Sequence, residues 1–179
     1  RPYGGDLYPV PKDIYESMFL KYEISEEMLQ EQGITYAKEV NRIRFPMYNY
    51  MGYVFGENLK AVTPKQKPKA LINKFNDVPN LHFPLGFKRG KNVIVLVEDQ
   101  ISAIKVSQVQ YCAALMGTNL SVEGIKQLLV LGVTTIILML DGDDAGLKAS
   151  FKLQRELMPH LVVKVVLLQN GNDPKDLSV

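Results

Sequence analysis

The chain has 179 residues, 46% of them hydrophobic, and a formal net charge of +2, which allows a sizeable core in one domain or two small ones. Its single cysteine, Cys112, excludes an internal disulfide framework and a zinc module built on paired cysteines, and makes a reducing compartment the natural setting. Apolar runs such as Leu128 to Leu140 are broken by Gly132 and two threonines and fall short of the roughly 20 residues of a membrane-spanning helix. The opening "RPYGGDLYPVPKD" has no signal-peptide pattern, and the abrupt close "DPKDLSV" reads as the end of a fragment of a longer protein.

The near-neutral total hides an uneven distribution. Between Lys60 and Lys91 there are eight Lys or Arg against one acid, Asp77. Such a segment is suited to a phosphate backbone, where neutralising phosphates releases counterions, and equally to a solvated lysine-rich loop.

In chain order, "SEEMLQEQGI" predicts a short helix with Ser25 as its cap, carboxylates in its first turn and Gly33 as its stop. "NRIRFPMYNYMGYVFGENLKAV" is rich in aromatic and β-branched residues on either side of Asn49 and Gly52, as in a hairpin of two strands. Proline and lysine dominate "TPKQKPKALINKFNDVPN", which reads as a long connecting loop.

From about residue 91 the rhythm becomes regular. "VIVLVE", "YCAALMG", "TTIILMLD" and "VVKVVLL" read as strands, separated by the helices "ISAIKVSQVQ", "VEGIKQLLVLG" and "DAGLKASFKLQREL". Continuous apolar strands alternating with helices predict a parallel sheet covered on both faces. The fold class is therefore α/β for residues 91–179, preceded by a smaller mixed α+β basic subdomain over residues 1–90.

In such a sheet the functional crevice lies at the carboxyl ends of the strands. Glu98 and Asp99 end the first strand, Asp141, Asp143 and Asp144 the third, and Asp173 and Asp176 follow the fourth. Carboxylates brought together raise one another's pKa and are best tolerated around a divalent cation. An all-oxygen set without histidine or cysteine points to Mg²⁺ or Mn²⁺. The alternative for each acid alone is a helix cap, as Asp143 or Asp144 can be for "AGLKASFKL".

These segments carry a resemblance. "VIVLVED" with Glu98, "MGTNLS", "LMLDGDDAGLKA" and "GNDPKDL" occur in the order and spacing of the Toprim domain, and the "DGDxAGxxA" form with a following "DPxDL" resembles bacterial and phage DnaG-like DNA primases. The front half is similar as well: "NRIRFPMYNYMGYVFG" and "PKALIN" resemble segments that precede Toprim in primases. The resemblance implies the catalytic core of a DNA-directed RNA polymerase that makes short RNA primers on a single-stranded DNA template from ribonucleoside triphosphates. It implies Glu98, Asp141 and Asp143 as catalytic residues, the same three with Asp173 as ligands of Mg²⁺ or Mn²⁺, and Arg42, Arg44, Lys67 and Lys69 as holders of nucleotide phosphates or template. Lys148 can reach phosphate or pair with Asp144. A replicative helicase is the implied partner through regions outside this chain, in the cytoplasm of a bacterial cell or a phage-infected host. A Toprim-type metal-dependent nuclease and a non-catalytic nucleic-acid-binding module are the alternatives.

The chain departs from the family pattern at identifiable positions. Asp99 stands where primases usually have glycine after Glu98, Ser102 where they usually have aspartate, Lys175 where many have another acid, and Asn58 where an arginine often follows the hairpin. His82 and His160 are isolated and read as structural, and Cys112 reads as a small buried hydrophobe. Gly117 and Thr118 read as a turn at the crevice edge whose amides could also meet a phosphate.

Overall fold

The structure, a computed structural model, describes residues 2–76, 81–87, 92–169 and 171–178. It comprises two compact units, residues 1–78 and 79–179. The first contains strand β1 (Leu7–Tyr8), helices α1 (Lys12–Met18) and α2 (Glu26–Glu31), and strands β2 (Thr35–Ala37), β3 (Arg42–Tyr48), β4 (Val54–Ala61) and β5 (Ala70–Lys74). The strands pair in sequence order as an antiparallel sheet.

Helix α2 forms where its caps dictate. Ser25 accepts from the Met28 amide, Glu26 and Glu27 sit at the positive end of the helix, and Gly33 takes a left-handed φ of 63° just past its end, a conformation that favours glycine. The β3–β4 hairpin turns where Asn49 Oδ1 accepts from the amides of Met51 and Tyr53 and Gly52 adopts a φ of 84°. Alternation along β3 places Ile43, Phe45 and Met47 on one face. All three are fully buried, and the Phe45 ring lies 5.9 Å from that of Phe19.

One expectation for this half is corrected. The segment read as a loop contains β5, which pairs with β4 from Gly56↔Lys74 to Lys60↔Ala70. It is an edge strand that leaves Leu71 and Ile72 exposed, so it lacks the buried alternation by which a strand is recognised. Its Lys74 and the preceding Lys69 are the kind of residue that keeps an edge from pairing with other chains.

The second unit has the predicted βα rhythm: β6 (Val93–Val97), α3 (Gln100–Ser107), β7 (Cys112–Ala114), α4 (Val122–Val130), β8 (Thr135–Leu138), α5 (Asp144–Leu157) and β9 (Val162–Val165). The strands form a parallel sheet in the order β7-β6-β8-β9. On β6, Val95 and Val97 pack with Ala103 and Val106 of α3 and with Cys112 and Ala114 of β7. Ile94 and Leu96 turn to the opposite face beside their register partners Ile136 and Leu138, and all four are fully buried.

Coverage on both faces holds at the centre of the sheet and fails at its β9 edge, where Val162 is 57% exposed. Residues 81–87 belong with this unit rather than with the basic half: His82 exchanges backbone hydrogen bonds with Ala114 along the free edge of β7. Burial holds the His82 imidazole at a pKa of about 3, so it is a neutral core residue. Cys112 is buried as expected, and burial pushes its thiol pKa up. No helix among the described residues is long and apolar enough to cross a membrane.

The core assignment predicts a steep contrast within the second unit. Leu96→Ala should cost about 3 kcal/mol and Val162→Ala less than about 1 kcal/mol, both read by urea denaturation.

Candidate functional site

The carboxyl ends of β6 and β8 lie side by side because these strands are hydrogen-bonded neighbours. Their exits bring Glu98 and Asp141 together, and the Asp141 amide donates to Glu98 Oε1 at 3.3 Å. The loop after β9 closes on the same edge, where the Gly142 amide donates to the Asn172 carbonyl at 2.9 Å. A cleft there is lined by Asp141, Asp143, Asp144, Leu147 and Val166.

Both glycines of "DGDDAG" are required by close approach. A Cβ on Gly142 would stand 2.7 Å from the Asn172 carbonyl oxygen, and one on Gly146 only 2.0 Å from the Asp141 carbonyl oxygen. Gly146 therefore lets α5 begin directly against the strand exit that carries Asp141. Asp143 is the cap of α5, its Oδ1 accepting from the Gly146 amide at 2.7 Å. Asp144 is the first helical residue, and Lys148 lies exposed on the next turn.

The electrostatics of the edge are those of a crowded anion cluster. Asp141 is pushed up to a pKa of about 7, first by burial, then by the charges of Glu98 and Asp173, with Lys175 working against them and Asp99 with them. Its Oδ1 is buried without a hydrogen-bond partner. Glu98 is raised too. Burial is the main cause, the Asp141 amide lowers the pKa, and the charges of Asp143, Asp173 and Asp99 add to the rise. Among the described residues no three acidic, histidine or cysteine side chains already converge as a ligand cage.

The chain's departures from the family pattern occupy definite places. Asp99 Oδ1 accepts from the Ser102 amide at 2.8 Å and caps α3, and Ser102 itself is fully buried. Asp99 Oδ2 lies 3.2 Å from Lys175 Nζ, which also contacts Asp173. Sequence reasoning marked Lys175 as an oddity but missed this pairing, which joins residues 76 apart. Gly117 adopts a φ of 146°, and its amide donates to the Glu98 carbonyl at 3.2 Å, as a turn at that edge requires.

The basic residues of the first unit divide into two kinds. Arg42 is 4% exposed, and its guanidinium donates to the carbonyls of Leu59 and Pro68 at 3.0 and 2.8 Å. The expected phosphate contact from Arg42 is therefore corrected: it is a structural clamp between β4 and the segment leading into β5. Arg44 pairs at 2.8 Å with the fully buried Glu57, which also accepts from the Tyr3 amide and from Asn73 Nδ2. Lys67 and Lys69 are exposed, as is Lys65. Lys88, Arg89 and Lys91 lie outside the described residues.

Comparison with known proteins gives this geometry a family. Residues 92–167, which lie within the second unit, match the family model described as the Toprim domain. The chain is 34% identical over 168 residues to a DNA primase of Staphylococcus epidermidis and 29% identical over 160 residues to one of Legionella pneumophila, covering 88% and 82% of this chain. It spans 28% of the length of each of these relatives. Among solved structures, a DnaG primase catalytic domain bound to single-stranded DNA superposes with a TM-score of 0.72 at 20% identity, covering 92% of this chain and 66% of that one. The primase fragment of the bacteriophage T7 primase-helicase protein gives 0.66 at 20% identity, covering 98% of this chain and 77% of that one. The chain is thus similar to DnaG-like primase cores, with the Toprim match confined to residues 92–167.

Three outcomes test this geometry. Gly146→Ala should destabilise the second unit by about 3 kcal/mol through overpacking, where the same change in an exposed helix gains about 1 kcal/mol; thermal unfolding distinguishes the two. Arg42→Ala should cost about 2 kcal/mol or more by stranding two carbonyls, while Lys67→Ala with Lys69→Ala should cost less than about 0.5 kcal/mol each. The third concerns pH. The folded Asp141 pKa of about 7 lies above its ordinary value of 3.8, so between those values the folded state holds the extra proton and this group's contribution to stability falls as pH rises. In cation-free buffer Asp141→Asn should remove that part of the decline.

Proposed function

We propose that this chain is the catalytic core of a DNA primase that builds short RNA primers on single-stranded DNA by metal-dependent nucleotidyl transfer. The observation that carries the reading is the half-buried Asp141, raised to a pKa of about 7 beside Glu98 and Asp173, with one carboxylate oxygen buried and unpartnered. Proteins of this family use divalent metal, and the residues here fit such an ion: the donors are hard oxygens, and a cation would relieve both the repulsion and the unpartnered oxygen. Glu98 and Asp141 would hold Mg²⁺ or Mn²⁺, with Asp143 at the start of α5 and Asp173 adding charge around them. Bound there, the ion would neutralise the triphosphate and stabilise the attacking and leaving oxygens of an in-line displacement.

The chain's own residues do the rest. Glu98 and Asp141 set the charge at the strand exits, and Asp143 fixes the start of α5. Lys148 lies on the exposed face of that helix, suited to nucleotide phosphate. The exposed Lys65, Lys67 and Lys69 offer a sequence-independent hold on the template strand, and Arg44 supports that unit through Glu57. Ribonucleoside triphosphates are the substrates, and a replicative helicase is the partner through regions beyond this chain. The setting is the cytoplasm of a bacterial cell or a phage-infected host. The naming of similar proteins as DNA primases supports this reading over a Toprim nuclease or a non-catalytic binding module.

The test is incorporation of labelled ribonucleotides on a single-stranded template with Mg²⁺ or Mn²⁺. Asp141→Asn and Glu98→Gln should each lower incorporation by about 100-fold or more, whereas Asp144→Asn should leave it within about threefold. Asp143→Asn should lower incorporation with little loss of stability, because asparagine caps a helix about as well as aspartate. Cation-dependent cleavage of DNA without incorporation would establish the nuclease instead, and cation-independent binding alone the non-catalytic module. For the hold on the template, Lys65→Ala, Lys67→Ala and Lys69→Ala together should flatten the salt dependence of single-strand binding by about one unit of slope for every phosphate that is no longer neutralised.

A further inference from the structure

The acidic edge of the second unit already contains a cation of its own. Lys175 Nζ stands 3.2 Å from Asp99 Oδ2 and directly against Asp173 Oδ2, and its side chain is 13% exposed. The ammonium thus bridges two carboxylates of the edge.

We propose that Lys175 is a built-in counter-cation that takes the Asp99 and Asp173 side of the crevice, limiting this domain to one exchangeable divalent cation on the Glu98 and Asp141 side. The inference rests on the reading that the crevice takes a divalent cation at all. Three features of the molecule carry it.

The first is that both oxygens of Asp99 are engaged. Oδ1 accepts from the Ser102 amide as the cap of α3, and Oδ2 belongs to Lys175. A metal ion there would have to share those oxygens with the amide and, less favourably, with the ammonium.

The second is that Lys175 is held in place by its own segment. It lies in the one-turn helix Pro174–Asp176, which packs on α3. That turn is closed by the Asp173 amide donating to Asp176 Oδ2 at 2.8 Å, and Pro174 is buried. A positive charge fixed beside Asp173 repels a second cation that approaches there, in surroundings less polar than water.

The third is the asymmetry of the two sides. Asp141 has a buried oxygen without a partner, whereas the Asp99 and Asp173 carboxylates are each paired with the lysine. Unmet demand for positive charge therefore sits on one side only.

The experiment is a titration of the full chain with Mn²⁺, reading free ion by electron paramagnetic resonance, for the parent and for Lys175→Met, Lys175→Gln and Lys175→Arg. The parent and Lys175→Arg should bind one Mn²⁺ per chain. Lys175→Met and Lys175→Gln should bind two, because Asp173 and one oxygen of Asp99 are released. Two ions in the parent would overturn the inference, whether or not the variants fold. One ion in the parent and still one in folded Lys175→Met and Lys175→Gln would overturn it while leaving the cation reading of the crevice intact. No ion in the parent or in any variant would overturn that reading, and the inference with it.

Discussion

Repulsion among carboxylates at one edge of a parallel sheet is the constraint around which the second unit is built. Glu98 leaves β6, Asp141 leaves the adjacent β8, and Asp173 follows β9, so the strand order alone brings three negative charges to the same edge. Folding works against the burial of these groups and against their repulsion, and the pKa of Asp141, raised first by burial and then by Glu98 and Asp173, records both. A protein holds such an arrangement only if the surrounding fold leaves the side chains no other place to go.

Several local features close off those other places. Gly142 and Gly146 let the backbone approach so closely that the Asp141 exit is wedged between the loop after β9 and the first turn of α5. Asp99 and Asp143 are tied down as helix caps, which orients the turns on either side. Lys175 then neutralises one flank of the cluster and leaves the Glu98 and Asp141 flank in excess of negative charge. The same residues thus serve stability and chemistry in opposite senses. Caps and lysine stabilise the turns, and the charge they leave uncompensated is what a cation would neutralise under the proposed function.

Much of this was legible in the sequence because it is local. The cap Ser25, the Asn49 to Gly52 turn and the strand-helix alternation after Val93 depend on neighbours within a few residues, whereas the choice of Asp143 over Asp144 as the cap of α5 was left open by the sequence. The convergence of Glu98, Asp141 and Asp173 followed from the rule that parallel strands deliver their ends to one edge. Other features rest on packing that chain order does not encode. β5 is exposed and lysine-flanked, so neither period nor composition marks it. Arg42 reads as a surface cation because nothing nearby in sequence shows that its guanidinium folds back onto Leu59 and Pro68. Lys175 and Asp99 meet only through the packing of the Pro174–Asp176 turn on α3.

The charge state of Asp141 decides whether crowded carboxylates govern this edge. A ¹³C-detected carboxyl titration of the cation-free chain should place the Asp141 midpoint near pH 7, and Mg²⁺ should shift it downward, since the ion competes with the proton for the same oxygens. A midpoint near the ordinary aspartate value of about 4, unmoved by Mg²⁺, would contradict this, because the carboxylates would then neither crowd one another nor bind a cation.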